Sequence, residues 1–446
     1  MTEQKRKRVS PATLSGFMII WLVSVLISLM SFISITFAQS PADFSNVCVG
    51  DINSDGGPEF LAGSGNFVYC MDASEKVLWK RDFGYKVNVD LVGEFNLKPC
   101  VAVSGVREAE VRLCLLDAAG NVVWESVRKI DVSYQGALDG SGKISKIADI
   151  DGDGKSEIVA LSHAGYAQRP RGVIVYDDKG NERWRYLIGP GPSDVVLWRD
   201  KSGKCDIVFG SYSPGNGAME EQSGTDDMNC YVVSVDAFGK KNWIETGGHF
   251  TGSTPYLADL NSDGEEELYV YKGTAYDYRP DEGALYSIAR NGKIVCEYKH
   301  PVSFTSIAGG AGALFAADKD GLIYKFSNGL AMQSKLDINT DDMPMVVNLT
   351  GVGDYRASGE IDLLVISYNR FQQGRNPRTD SGPKNIVKFS NLSSSLIPVS
   401  FDKPAKTAVI QAGCDELGGF KAIEFNGGKM KAFYIIHNGI KTGNIK

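Results

Sequence analysis

The stretch DIDGDGKSEI, Asp149 to Ile158, places acidic side chains at Asp149, Asp151, Asp153 and Glu157. Acids at positions 1, 3, 5 and 9 of a glycine-rich turn form an all-oxygen donor set of the kind a hard divalent cation takes. An EF-hand would add a bidentate glutamate at position 12 and a helix on each side. Gly154 supplies the glycine of position 6, but position 12 is Ala160, and the IVAL run after Glu157 has strand character. The stretch therefore reads as a calcium loop between two strands.

Two more copies occur, DINSDGGPEF from Asp51 and DLNSDGEEEL from Asp259. Their twelfth positions are Ala62 and Val270, while position 9 is again glutamate, Glu59 and Glu267. Asn53 and Asn261 replace the aspartate of position 3, which lowers the charge and keeps an oxygen. The expected ligand sets are Asp51, Asn53, Asp55 and Glu59; Asp149, Asp151, Asp153 and Glu157; and Asp259, Asn261, Asp263 and Glu267. A backbone carbonyl at position 7 would close each cage, giving about three structural Ca2+ sites. Carboxylates saturated in this way stabilise an edge and do not serve as acids or bases.

These loops set the period of an internal repeat. Each is followed by an alternating segment with an acidic or glycine turn, and such segments also recur between them: VYCMDASEKVLW ending at Trp79, LCLLDAAGNVVW at Trp124, VIVYDDKGNERW at Trp184 and VVSVDAFGKKNW at Trp243. Weaker copies of both halves run on to the C-terminus, at a spacing of roughly 51 residues, within the range of propeller blades. Each unit reads as four short strands, and a lone four-stranded sheet cannot bury its faces. The expected fold is all-β, an eight-bladed β-propeller over 42–446, with seven blades as the alternative. One tryptophan per unit is expected to pack between blades.

The three loops resemble the FG-GAP/VCBS calcium-binding repeats of integrin α-subunit propellers and of secreted microbial proteins. The D-x-x-G-x-x-x-W segments resemble the repeats of PQQ-dependent quinoprotein dehydrogenases and of the outer-membrane assembly lipoprotein with the same propeller. The first resemblance implies adhesion or ligand binding at loops between blades. The layout is also similar to rhamnogalacturonan lyases, which implies an alternative activity on acidic polysaccharide by β-elimination. No counterpart of the PQQ pocket is found in the sequence.

The N-terminus carries KRKR at 5–8 and then an uncharged run of 22 residues, Phe17–Ala38. Residues 1–16 read as a cytoplasmic basic tail or signal n-region, and 17–38 as a transmembrane signal-anchor helix or a signal peptide. Either reading sends the rest outside, membrane-anchored or secreted. Net charge is -7 with no basic stripe, so nucleic acid is excluded as an expected partner. Of eight cysteines, Cys100 with Cys114 and Cys205 with Cys230 lie on consecutive segments and suit cross-strand disulfides; the other reading is buried thiols.

Candidate ligand-contacting residues are His163, Arg169 and Arg171 in LSHAGYAQRPRG, His249 in TGGHFTGSTPY, and Tyr276, Tyr278 and Arg279 in KGTAYDYRPD. Three insertions, 211–229, 272–281 and 368–384, follow equivalent strands, as the His163 loop does, and should emerge on one face. The expectation is a binding, adhesion or assembly propeller for an extracellular protein or carbohydrate ligand, with non-catalytic binding preferred over catalysis.

Overall fold

The structure, a computed structural model, describes residues 44–55, 59–72, 76–130, 140–165, 169–249, 251–274, 282–310, 312–337 and 345–353, and the strands at 362–369, 392–398, 410–412, 420–426, 429–436 and 439–444. The chain divides into two units, Met1–Ala42 and Asp43–Lys446. The first, with the expected tail and hydrophobic helix, lies outside the described residues.

The second unit is all-β. The strands Phe44–Gly50, Glu59–Ser64, Phe67–Met71 and Val77–Asp82 pair in chain order as an antiparallel four-stranded meander. The same order holds within 87–129, 140–187, 304–337 and 345–412, and the strands within 420–444 form a three-stranded sheet. The strands of 191–249 and of 251–300 make two further four-stranded meanders, the fourth and fifth sheets in chain order, linked to each other by a single pairing of Tyr212 with Gly252. First strands pack on first strands in sequence: Phe44–Gly50 on Val87–Phe95, then Gly140–Ala148, Gly191–Arg199, Thr251–Ala258, Phe304–Gly310 and Met345–Gly353. Sheets that meet along their first strands and leave their fourth strands outermost have the arrangement of a propeller.

Period-2 alternation explains why the repeat needs neighbours. Along Glu157–Ala164, Ile158 and Ala160 enter the core shared with the preceding sheet, beside Ala102 and Leu115. Val159 and Leu161 enter the core shared with the following sheet, beside Val195 and Phe209. Both faces of a middle strand are thus buried, and Gly172–Tyr176 is buried at every residue.

The first strands other than Thr251–Ala258 are also bulged at polar positions. Register shifts skip Asp90, Ser145, the pair Ser193 and Asp194, Thr305 and Thr350. A bulge re-aims the extra side chain, here often towards the next sheet. Asp90 accepts the Ile144 N–H at 2.8 Å, Ser145 donates to Asp194 at 3.3 Å, and Ser193 donates to the Ser253 carbonyl at 2.6 Å.

The tryptophans join the sheets at their outer rim. Trp79, Trp124, Trp184 and Trp243 donate their indole N–H to the carbonyls of Ala118, Asp177, Ala237 and Arg290, each in the D-x-x-G or related turn of the next sheet, at 2.8, 3.0, 2.9 and 2.9 Å. The turn glycine has to be glycine on two counts. Gly120 sits at φ +80°, and a Cβ there would lie 2.9 Å from the Trp79 ring.

The cysteine pairing is corrected. Cys114 stands opposite Val103, not Cys100, and the register of Asp206 with Asp236 separates Cys205 from Cys230 along their strands. The described cysteines are free thiols, and burial pushes Cys100 and Cys114 up to about 12. Cys414 lies outside the described residues.

Candidate cation loops and the insertion-bearing end

Each acidic loop joins the first strand of a sheet to the second. Its second residue is apolar and buried, Ile52, Ile150 or Leu260, and anchors the turn in the core. The ninth residue closes it. Glu59, Glu157 and Glu267 each accept the backbone N–H of that second residue, at 2.9, 3.0 and 3.0 Å. Burial pushes the Glu59 and Glu157 carboxyls above the usual range, against the lowering effect of those N–H groups. The first residue cups the turn: Asp149 accepts from Gly152 and Gly154 at 2.7 and 2.9 Å, and Asp259 accepts from Asp263 and Gly264 at 3.2 and 2.9 Å.

Position 3 splits the loops into two kinds. Asn53 and Asn261 donate Nδ2 to Glu59 and Glu267, at 3.0 and 2.6 Å. Asp151 has no such donor. Instead Arg183, from the outermost strand of the same sheet, bridges Asp151 Oδ2 at 2.6 Å and Glu157 Oε1 at 2.8 Å. Carboxylate oxygens of Asp149, Asp151 and Asp153 lie within 4.8 Å of one another, close enough to share a metal ion. The donors are all oxygen, which suits calcium and not a soft or imidazole-seeking metal.

The fourth sheet shows the loop with two of its acids replaced. Trp198 occupies position 1 and Ser202 position 5, while Asp200 and Asp206 keep positions 3 and 9. Asp206 is buried and held by Arg290 at 3.3 Å, Lys204 at 3.4 Å and the Asn242 amide at 3.0 Å, while Arg290 lies 4.3 Å over the Trp198 ring. Arg183, Arg290 and Asp206 were not singled out in the sequence. The signal for Arg183 was its place immediately before Trp184.

The insertions join second to third strands, so by antiparallel topology they emerge at the opposite end from the acidic loops. Residues 211–229 contain a small hairpin, Met219–Glu220 paired with Thr225–Asp226. It packs on the loop that follows His163. Arg169 donates to the Met219 carbonyl at 2.7 Å and lies 3.8 Å from Glu220. Arg171 is fully buried; it meets Asp227 at 3.3 Å and donates to the carbonyls of Ala164 and Gly189, each at 2.7 Å. Its position is that of an internal strut, where solvent and ligand do not reach.

His163 lies within a strand and not in the insertion; its ring stacks on Tyr212 with centroids 6.3 Å apart. Burial, with Lys143 adding to it, pulls its pKa down to about 4, so it is neutral at ordinary pH. His249 is exposed at a strand end opposite Asn229. Tyr276, Tyr278 and Arg279 lie outside the described residues, as does the 368–384 insertion apart from the strand residues at its start. Exposed around the hairpin are Tyr212, Met219 and Met228, the second at 61 %.

No known protein family matches the sequence, and no curated protein matches it. Solved structures do. Sqt1 of Saccharomyces cerevisiae is 11% identical, with 92% of this chain and 98% of that chain covered at a TM-score of 0.53. The Dos1 propeller is 9% identical, with 91% and 94% covered at a TM-score of 0.51. BamB of Moraxella catarrhalis is 13% identical, with 89% and 95% covered at a TM-score of 0.47. At these identities the likeness is one of fold alone. Together with the stacked meanders, the likeness to Sqt1 and to the Dos1 propeller defines the fold as a β-propeller.

Proposed function

We propose that this protein is an extracytoplasmic, eight-bladed, calcium-stabilised propeller of the FG-GAP/VCBS kind that binds a partner through the insertion-bearing end. The observation that carries the reading is the division of labour between the two ends. The acidic loops sit at one end, with their carboxylates turned onto their own backbone. At the other, two adjacent insertions are locked together by Arg169 and Arg171 and leave Tyr212, Met219 and Met228 exposed. A rigid scaffold presenting irregular loops is the usual way a propeller meets its ligand. The partner is an extracellular protein or a carbohydrate, and the two adaptable methionines favour a protein surface. Arg169 and Arg171 are committed to carbonyls and carboxylates of the protein itself, and His163 is half-buried, stacked on Tyr212 and neutral, which argues against the polysaccharide lyase.

A photo-crosslinking amino acid at position 219, compared with one at position 155 in an acidic loop, tests the assignment in intact cells. Adducts are expected from 219 and not from 155; the reverse pattern overturns it. For the metal, calcium is expected at 51–59, 149–157 and 259–267, held by the twelve side chains named above. Asp153→Ala should remove about one bound ion, and an unchanged ion count would remove that loop from the assignment.

A further inference from the structure

The three acidic loops differ in one correlated pair of residues. Where position 3 is asparagine, the residue on the outermost strand one place before the tryptophan position is apolar and exposed. It is Leu78 in the first sheet, at 41 % exposure, and Val295 in the fifth, at 62 %. The equivalence follows from register, since Trp79 stands opposite Cys70, Trp184 opposite Val175 and Cys296 opposite Ser287. Where position 3 is the aspartate Asp151, the equivalent residue is Arg183. The same place in the fourth sheet is Asn242, and it too reaches the ninth-position acid, Asp206, at 3.0 Å. A side chain from this strand position thus has the length and direction to reach the loop. In the third sheet that side chain carries a charge.

The charge count follows. Asp51, Asp55 and Glu59 carry three negative charges, as do Asp259, Asp263 and Glu267. Asp149, Asp151, Asp153 and Glu157 carry four, and Arg183 returns that set to three. The extra acid has been matched by a cation from the protein itself.

We propose that Arg183 is a built-in competitor for the divalent ion of the loop at 149–157. Its guanidinium holds Oδ2 of Asp151 and Oε1 of Glu157, oxygens that the ion needs, and a guanidinium and Ca2+ cannot occupy the same carboxylate edge. Filling this loop therefore requires Arg183 to swing out towards solvent, which its 27 % exposure permits. The loop with most carboxylates fills last, at a higher calcium concentration than those at 51–59 and 259–267. It also keeps its shape when the ion is absent. This inference rests on the calcium reading of the loops.

The test is calorimetric titration of the full-length protein with Ca2+ alone, comparing wild type, Arg183→Gln and Arg183→Lys. An Arg185→Gln control removes a guanidinium paired instead with Glu182. Arg183→Gln should tighten one site on the order of tenfold or more, since a nearby like charge is removed. It should also lower the melting temperature in chelator and recover it on calcium addition. Arg183→Lys, which keeps the charge but loses the bidentate grip, should fall between. Binding by wild type with the same or weaker constants in Arg183→Gln overturns the role of Arg183 and leaves the loops as calcium sites. Absence of binding in both proteins overturns the role of Arg183 and the calcium reading together.

Discussion

Two side chains at the seam between the sheets of 87–129 and 140–187 each give a measurable consequence. Trp124 is buried, donates to the Asp177 carbonyl and meets Tyr176 edge-on at 5.8 Å. Trp124→Ala should cost about 3–5 kcal/mol and Trp124→Phe about 1–2 kcal/mol in chemical denaturation, because phenylalanine fills most of the space but leaves that carbonyl unmet. Asp90 answers to pH. Burial pushes its carboxyl up to about 7, against the opposing pull of the Ile144 N–H and the Ser104 hydroxyl. Between about pH 4 and 7 the folded protein holds a proton there that the unfolded chain has released. Stability should fall as pH rises through that window, with the full penalty present above it. Asp90→Asn mimics the protonated acid, so it should flatten this slope and raise the melting temperature at pH 8. A slope unchanged by the substitution would remove Asp90 as its origin.

A buried ion pair, Arg171 with Asp227, helps to hold the insertion at 211–229. Arg171→Ala leaves Asp227 enclosed without its cation and should cost about 3–5 kcal/mol. The double variant with Asp227→Ala should cost less than the sum of the two single changes, a difference that a double-mutant cycle reads directly. How far these elements were legible in sequence depends on the range of their contacts. The D-x-x-G turns and the acidic loops were readable because Asp117 and Asp149 satisfy backbone donors within five residues of themselves. The tryptophans were readable as packing because they recur. Arg171 reads as a ligand contact in sequence because its partner lies 56 residues away in a non-repeating segment. The cysteine pairs failed for a related reason. Cys100, Cys114, Cys205 and Cys230 were assigned to the right neighbouring strands, but their register depends on pairings that no local pattern announces.

At the scale of the molecule, stability should depend on calcium by mass action. Each loop filled to 100 times its dissociation constant adds about 2.7 kcal/mol. Chelation should therefore lower the melting temperature, and a melting temperature indifferent to chelator would mean the loops stand on internal hydrogen bonds alone. The indole contacts have one further consequence. Each of the four tryptophans touches a turn that belongs to the following sheet, never to its own, so each ring is a fluorophore that senses whether its successor is docked. Variants keeping one of these indoles would emit in red-shifted, water-exposed fashion when that single junction opens. The molecule thus carries optical reporters at four successive joints, with which the order in which those joints open can be timed without any added label.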